Sequence, residues 1–252
     1  MAVQSATGRL GRPGPTPAEL VLDGATSDVP RPDDLFERTA PLYALLREHL
    51  FRDDTDRIAA SLWQNAAPMD GTLLLEIGCG PGVYARRLAA RHPGLRAVGI
   101  DRSAALISHG RAQAASEGLA NCRFQRGDAL ALDWPAASID AAIAARLFTV
   151  VDAARAIGEI HRVLRPGGLC FIAEPTSMFG TLVPFGLLRL AGWLLGARTD
   201  AHDGGPTDRA PRRLSRSAFV AAVQSKSWAA CTIVSQDGYV YAVCQKSAGG
   251  QD

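Results

Sequence analysis

An apolar run that ends in an acidic residue and a glycine-rich turn most constrains the fold of this 252-residue chain. The run Leu73–Ile77 reads Leu-Leu-Leu-Glu-Ile, and glycines follow at alternate positions: Gly78, Gly80 and Gly82. Such a run is typical of a parallel strand that is buried on both faces. Glycines just past its carboxyl end let the backbone approach a ligand closely, and in open α/β sheets the ligand crevice lies there. The segment therefore predicts an α/β fold that binds a nucleotide-like ligand.

Strand and helix signals alternate from Thr72 onward, which predicts βαβ units and a parallel sheet. The predicted strands are Thr72–Ile77, Leu95–Ile100, Cys122–Gln125, Ile139–Ala145, Leu169–Ala173, Ala230–Ser235 and Tyr239–Cys244. The predicted helices are Val83–Arg91, a helix capped by Ser103 that runs to about Glu117, Ala153–Leu164 and Ser215–Ser225. Pro166-Gly167-Gly168 stops the third helix, and Gln236-Asp237-Gly238 signals a hairpin. We expect a mostly parallel seven-stranded sheet with an antiparallel C-terminal hairpin.

The composition argues against several other classes of protein. With 27 basic and 25 acidic residues, the chain has no global field that would attract nucleic acid. The five cysteines show no C-x-x-C spacing, and no Cys/His pair has ligand spacing, so we predict no metal site. We expect the cysteines to be small buried side chains in a reducing compartment. The first residues lack the apolar core of a signal peptide, which predicts a cytoplasmic protein.

The expected organisation is a flexible, proline-rich tail over residues 1–33 and one domain over 34–252. Within that domain, residues 34–66 carry a broken helical stripe of leucines and isoleucine, which predicts an N-terminal helical segment. Residues 176–213 form an insertion between the fifth and sixth strands. The insertion begins with the apolar segment Met178–Ala197 and continues as a polar loop.

Acidic residues lie at, or just after, the carboxyl ends of three successive predicted strands: Glu76, Asp101 and Asp128. Side chains at the carboxyl ends of parallel strands converge on one edge of the sheet, so these three can surround one ligand. Asp101 stands where a carboxylate accepts hydrogen bonds from the cis-diol of a ribose, which would suit NAD equally well. However, the dinucleotide fingerprint requires a third glycine at the position of Val83.

The Glu-x-Gly-x-Gly-x-Gly motif of Glu76–Gly82 resembles motif I of the class I S-adenosylmethionine-dependent methyltransferases. Glu159–Gly168 resembles the signature E-x-x-R-V-L-K-P-G-G of the small-molecule group (methyltransferase type 11), which includes quinone-biosynthesis enzymes. The resemblance implies a Rossmann-like, doubly wound fold whose seventh strand inserts antiparallel. It also implies S-adenosyl-L-methionine as the cofactor, and in this family an N-terminal helical segment often covers it.

The same resemblance assigns roles to individual residues. The three glycines would pass close to the methionine part of the cofactor, and Asp101 would bind the ribose. The acidic side chain of Asp128 would accept from the adenine amine, and the amide of Ala129 would donate to the ring. Glu76 would orient the loop or contact the ammonium group, or else be a buried strand-end carboxylate bonded to backbone amides. The expected cofactor-binding set is Glu76, Gly78, Gly80, Gly82, Asp101, Arg102, Asp128, Ala129 and Ala145.

No catalytic base follows from the resemblance, because the segment after the fourth strand, Leu147–Val151, is apolar where relatives carry a polar pair. Methyl transfer depends mainly on alignment of the reacting groups, and a base is needed only if the acceptor must lose a proton. The candidates for that role are Glu174, His202 and Tyr43, while Tyr84 is a further candidate for ligand contact. We expect His109 and His161 to serve packing or surface roles.

The apolar segment Met178–Ala197 is long enough for a membrane span, but Pro184, Arg189 and its place between two strands of one sheet oppose that. Three interpretations stay open: a lid over an apolar acceptor pocket, shallow membrane association, and core or homodimer packing. Phe185 and Trp193 are the expected substrate-binding residues. The first two interpretations favour a lipophilic or aromatic acceptor.

Other classes of function remain open. One is an NAD-type dinucleotide-binding oxidoreductase, and another is a non-catalytic protein that binds S-adenosylmethionine. A nucleic-acid methyltransferase is disfavoured, because Ala144-Ala145-Arg146-Leu147 does not resemble the Asn/Asp-Pro-Pro-Tyr motif that such enzymes often carry there.

Overall fold

A computed structural model describes residues 39–64, 66–176 and 214–248. The helices in these ranges are α1 (Ala40–His49), α2 (Thr55–Trp63), α3 (Val83–Arg91), α4 (Ala104–Ser116), α5 (Ala153–Val163) and α6 (Arg216–Val223). The strands are β1 (Leu73–Ile77), β2 (Arg96–Asp101), β3 (Cys122–Arg126), β4 (Ile139–Ala145), β5 (Leu164–Pro175), β6 (Trp228–Gln236) and β7 (Tyr239–Lys246). The expected tail, 1–33, and nearly all of the expected insertion, 176–213, lie outside the described residues.

The seven strands form one sheet in the order β3-β2-β1-β4-β5-β7-β6. Strands β1 to β5 pair in parallel, and β7 lies antiparallel between β5 and β6. The mostly parallel sheet with an antiparallel C-terminal hairpin is therefore confirmed. The reversal of strand order falls between β1 and β4, and in open α/β sheets the ligand site lies at the carboxyl ends of the strands at such a point.

Both faces of the sheet are covered, which explains why β1 is apolar and buried along its whole length. Leu73, Leu75 and Ile77 belong to one hydrophobic cluster, with residues of α5 and α6. Leu74 points to the opposite face and belongs to a second cluster, with residues of α2, α3 and α4. The fold is thus doubly wound, and its two cores fix the positions of the strand ends.

Strand β5 begins earlier than the sequence predicts. The helix does end before Pro166-Gly167-Gly168, at Val163, but these three residues already belong to the strand, because Leu164 pairs with Ile139. The pairing register shifts between Ile139 and Ala141, which accommodates the irregular residues as a bulge. The ammonium group of Lys246 donates to the carbonyls of His161 (2.7 Å) and Leu164 (2.8 Å) at the end of the helix.

The cysteines do not all match the expectation. Cys79, Cys122 and Cys170 are free and buried. Cys231 on β6 and Cys244 on β7 are direct cross-strand partners, and the structure pairs them as a disulfide. The expectation that the cysteines are buried is wrong at Cys231, which is exposed on β6, whereas Cys244 is buried.

Candidate functional site

The glycine loop between β1 and α3 has backbone conformations that favour glycine, with φ of +69° at Gly78, +55° at Gly80 and +75° at Gly82. Gly82 is the N-cap of α3. A Cβ atom at Gly82 would lie 2.0 Å from Cε1 of Phe124, so a side chain cannot fit there. The loop is thus held close to β3 and turns sharply into the helix.

Asp101, at the end of β2, contacts this loop directly. Its Oδ2 atom accepts a hydrogen bond from the N–H of Gly80 (2.8 Å), and its Oδ1 accepts from the N–H of Ser103 (2.9 Å). Ser103 caps α4, since its hydroxyl accepts from the N–H of Leu106 (3.2 Å). The carboxylate expected to bind a ribose therefore lies beside the glycine loop and also fixes it.

Glu76 supports the loop from beneath. Its side chain is buried, and Oε2 accepts a hydrogen bond from the N–H of Ala85 (2.7 Å) in the first turn of α3. Burial raises the pKa of this carboxyl to about 7, although the bond to Ala85 and the guanidinium of Arg47 act in the opposite direction. Of the roles expected for Glu76, the structure shows the buried carboxylate bonded to a backbone amide.

The third acidic residue, Asp128, lies on an exposed turn after β3. Its Oδ1 accepts from the N–H of Leu130 (2.8 Å), while the N–H of Gly127 donates to the carbonyl of Asp101 (3.0 Å). That second bond brings the turn against the end of β2. Arg102 is exposed, and its carbonyl accepts from Nε of Arg126 (2.9 Å). The ends of β1, β2 and β3 thus meet at one edge, as the sequence predicts.

Helix α1 covers the glycine loop. A Cβ atom at Gly80 would lie 3.1 Å from Cε1 of Tyr43, so this tyrosine ring packs on the loop backbone. Burial raises the pKa of Tyr43, and Arg47, Arg146 and Asp101 are among the charged groups near its hydroxyl. Tyr43 is therefore the one proton-transfer candidate among the described residues that touches the loop.

Arg47 is a residue that the sequence analysis missed. It is buried, and its guanidinium carbon lies 4.5 Å from the ring centroid of Tyr84. Burial opposes its charge, but Tyr84, Tyr43 and Glu76 together raise its pKa. The sequence spacing could have indicated that Arg47 lies near Tyr43, because residues four apart share one face of a helix.

The end of β4 forms the other half of this edge. Ala145 pairs with Ala173 on β5, and Arg146 follows with a φ of +59°. The guanidinium carbon of Arg146 lies 4.5 Å from the ring centroid of Phe51, and its Nη1 donates to the hydroxyl of Tyr239. Neither aromatic residue was predicted, since one follows α1 and the other begins β7, and only the fold brings them together.

The remaining candidates divide between packing roles and residues outside the described ranges. His161 is buried, its Nε2 lies 3.2 Å from the carbonyl of Ser227, and its ring packs edge-on against Trp228. The hydroxyl of Tyr84 donates to the carbonyl of Arg52 (3.3 Å), beneath α1. The candidates outside the described residues are Phe185, Trp193 and His202.

Over residues 39–64, 66–176 and 214–248, no three His, Cys, Asp or Glu side chains are grouped so that they could hold a metal ion. Among the helices of the same ranges, none has the length and apolar character that a membrane crossing requires.

Taken together, the doubly wound sheet, the glycine loop and the adjacent carboxylate define a protein that binds a nucleoside-containing cofactor at the carboxyl edge of its strands. Residues 74–168 match the family model of a methyltransferase domain. The demethylmenaquinone methyltransferase of Thermus thermophilus is 36% identical over 154 residues, which cover 58% of this chain and 68% of that protein.

Two solved structures share the fold. The [4+2]-cyclase SpnF superposes with a TM-score of 0.61 at 18% identity and covers 85% of this chain and 94% of its own. A Methanococcus maripaludis protein described as an S-adenosylmethionine-dependent methyltransferase has a TM-score of 0.58 at 18% identity, covering 90% of this chain and 99% of its own. On the sequence match to the Thermus enzyme, the chain belongs to the class I S-adenosylmethionine-dependent methyltransferases, in the small-molecule group.

Proposed function

We propose that this methyltransferase acts on a small lipophilic or aromatic acceptor, bound beside S-adenosylmethionine at the carboxyl edge of the sheet. The observation that carries the proposal is the division of that edge into two chemically different halves. The ends of β1, β2 and β3 present the glycine loop and carboxylates. The other half, at the ends of β4 and β5 and the start of β7, presents Arg146 and Tyr239, with the ring of Phe51 packed on the guanidinium of Arg146.

The first half fits the cofactor. Asp101 is anchored by two backbone amides, and its oxygens have further lone pairs that can accept from ribose hydroxyls. Gly78, Gly80 and Gly82 add no Cβ atoms to the loop, and Tyr43 and Arg47 close it from the side of α1. Arg102, Asp128, Ala129 and Ala145 complete the proposed cofactor-binding set.

The second half fits the acceptor. Arg146 reaches from the end of β4 to Tyr239 on β7, and β5 lies between those strands. The acceptor would therefore lie above the carboxyl end of β5, beside the aromatic rings of Phe51 and Tyr239 and the guanidinium of Arg146. The name of the Thermus relative, demethylmenaquinone methyltransferase, gives a quinone-type compound as the acceptor of that enzyme.

Positioning is the main contribution of the protein to the reaction. When bound, the cofactor would supply a methyl group attached to a positively charged sulfur, and that sulfur would leave as a neutral thioether. The residues of this chain would exclude water and align the acceptor, which can lower the barrier by about 7–11 kcal/mol in favourable cases. Where the acceptor must lose a proton, Tyr43 and His202 are the proposed candidates.

Two alternatives make different predictions. An NAD-dependent oxidoreductase would bind NAD at the same loop, but Val83 occupies the position of the third fingerprint glycine. A non-catalytic protein would bind S-adenosylmethionine without turnover, and the cyclase that shares this fold shows that the fold alone does not fix the reaction.

Residues 178–197 bear on both the acceptor pocket and the location of the protein in the cell. We infer a cytoplasmic enzyme in which residues 178–197 form a lid that contributes Phe185 and Trp193 to the acceptor pocket, with peripheral membrane contact and a homodimer surface as the alternatives for this segment. Flotation with phospholipid vesicles tests the membrane contact, and sedimentation tests whether the chain forms a homodimer.

The experiment uses S-adenosylmethionine with a radiolabelled methyl group and two acceptors, 1,4-dihydroxynaphthalene and trans-aconitate. We expect label transfer to the aromatic diol at least tenfold faster than to the polar acid, and calorimetric binding of S-adenosylhomocysteine but not NAD. Binding of NAD would support the oxidoreductase, and preference for trans-aconitate would contradict the lipophilic acceptor.

A further inference from the structure

The turn that follows β4, residues 146–149, adopts a conformation that its own sequence does not favour. Arg146 has a φ of +59°, in the left-handed region that non-glycine residues rarely occupy. Its N–H donates to the carbonyl of Ala173 on β5 (2.8 Å), and its carbonyl accepts from the hydroxyl of Thr149 (3.3 Å). Such conformations persist where surrounding structure enforces them, and they cluster at functional sites.

Glu174 at the end of β5 is the group that enforces this turn. Its Oε1 accepts hydrogen bonds from the N–H of Leu147 (2.7 Å) and from the N–H of Phe148 (2.8 Å). The side chain is fully buried, and its Oε2 has no hydrogen-bond partner among the described residues. One oxygen thus satisfies two consecutive backbone amides, which would otherwise be buried without partners.

The turn carries side chains to both halves of the edge. The Leu147 side chain packs against the glycine loop, since a Cβ atom at Gly78 would lie 2.7 Å from its Cδ1. Arg146 extends the other way, over the ring of Phe51 and to the hydroxyl of Tyr239. A change in the turn would therefore reach the cofactor side and the acceptor side together.

We propose that Glu174 is a positioning residue, which holds the turn 146–149 through two amide bonds and so sets Leu147 against the cofactor loop and Arg146 against the acceptor. It does not accept a proton from the acceptor. A general base must reach the proton that it removes, whereas Oε1 is occupied by backbone amides and Oε2 is enclosed. Only the ligand roles of Leu147 and Arg146 rest on the proposed function.

The first test needs no ligand. Burial raises the pKa of Glu174 to about 8, with the amides of Phe148 and Leu147 and the charge of Arg146 acting against this rise. In ¹H–¹⁵N spectra of the whole chain, the amide signals of Leu147 and Phe148 should shift together with a midpoint near pH 8. Glu174→Gln should abolish that titration and keep the protein folded. Amide signals that do not titrate, or that titrate equally in the variant, would overturn the assignment.

The second test compares substitutions that keep or remove the acceptor oxygen. Glu174→Gln keeps an oxygen for the two amides, so affinity for S-adenosylhomocysteine and the rate of label transfer to 1,4-dihydroxynaphthalene should stay within about threefold of the wild type. Glu174→Leu leaves both amides unpaired and should weaken cofactor binding at least tenfold. Glu159→Gln is the matched control, because Glu159 also accepts from a backbone amide, that of Leu132, but lies on α5.

The outcomes separate the two proposals. A Gln variant that binds the cofactor normally but loses label transfer by a hundredfold or more would make Glu174 a catalytic base and overturn the inference. Should Glu174→Leu fail to fold, the amide titration and the Gln variant still decide the question. A wild type whose amides titrate but which binds no S-adenosylhomocysteine would sink the proposed function and leave the positioning role intact.

Discussion

Gly82 shows how a single residue fixes the geometry of the site. Its φ of +75° and the ring of Phe124, 2.0 Å from a Cβ placed there, are two separate obstacles to any side chain. Gly118 has a similar φ of +70° but nothing within 4 Å of a Cβ atom. A comparison of substitutions at these two glycines therefore distinguishes the effect of backbone strain from that of steric overlap.

We predict that Gly82→Ala destabilises the protein by about 3 kcal/mol or more and weakens cofactor binding, because strain and overlap add. Gly118→Ala should cost only about 1 kcal/mol and leave cofactor binding unchanged. Urea denaturation measures stability, and calorimetry with S-adenosylhomocysteine measures affinity. Equal effects of the two substitutions would mean that the contact with Phe124 is not needed.

At this scale the sequence predicts which residues lie near the ligand better than it predicts what they bond to. The spacing of Asp101 from the glycine loop placed it correctly beside Gly80. Its bonds to the amides of Gly80 and Ser103 depend on how two turns are oriented, which no spacing encodes. Similarly, Glu174 could be placed on the ligand edge, but its two amide partners follow from the unusual φ of Arg146.

Charged side chains join helix α1 to α3, whereas α2 also packs Ile58 and Leu62 into the hydrophobic core. Glu48 on α1 pairs with Arg86 (2.5 Å) and Arg87 (3.0 Å) on α3. Arg86 is 3% exposed, so its charge depends on these partners, which also include Glu117. By contrast, the pair of Arg91 with Asp56 on α2 involves a carboxylate that is 90% exposed.

We predict that Glu48→Gln lowers the free energy of unfolding by about 1–3 kcal/mol, because it leaves a buried guanidinium partly uncompensated. Asp56→Asn should change it by less than about 0.5 kcal/mol, as is usual for exposed ion pairs. Chemical denaturation of both variants at low and high salt measures the difference. A larger effect for Asp56→Asn would contradict the anchoring role of Glu48.

The pH dependence of this anchor has a definite sign. Burial raises the pKa of Glu48, but the two arginines outweigh it and the net pKa is lowered. The stabilisation by Glu48 is therefore present above the ordinary carboxyl range near 4.5 and is lost as the pH falls through the lower, folded value.

The bounds of helices and strands could be predicted from sequence wherever the local residue pattern matches the burial in the fold. The bounds of α3 and β4 match the prediction, because the glycine turn and a run of buried residues define them on both sides. The start of β5 was missed because Pro166-Gly167-Gly168 reads locally as a stop, whereas pairing with β4 carries the strand through it. Phe51 and Tyr239, which both contact Arg146, are 188 positions apart, so only the tertiary fold brings them to the same place.

For the whole molecule, the buried carboxyls of Glu76 and Glu174 set a dependence of stability on pH. Burial raises their pKa values to about 7 and about 8, above the ordinary value of 4.5. The folded protein therefore holds these protons more tightly than the unfolded chain does. Stability from this source is complete below pH 4.5 and is lost as the pH rises through about 8.

We predict that Glu174→Gln becomes more stable relative to the wild type as the pH rises from 5 to 8, by a few kcal/mol, and that the difference levels off near pH 9. The reason is that glutamine has no charge to bury, and one pKa unit corresponds to about 1.4 kcal/mol. Urea denaturation across this pH range measures it. A difference that is constant with pH would show that the carboxyl titrates normally.

The central claim is that carboxylates distant in sequence meet the glycine loop at one edge and hold one nucleoside cofactor. Calorimetry with S-adenosylhomocysteine tests it most directly, on the wild type, on Asp101→Ala and on Asp70→Ala, an exposed aspartate before β1 at the opposite edge. We expect Asp101→Ala to weaken binding at least tenfold, since a charged hydrogen bond contributes about 1.5–3 kcal/mol, while the variant stays folded by circular dichroism. Wild-type affinity in Asp101→Ala, or equal loss in Asp70→Ala, would contradict the account.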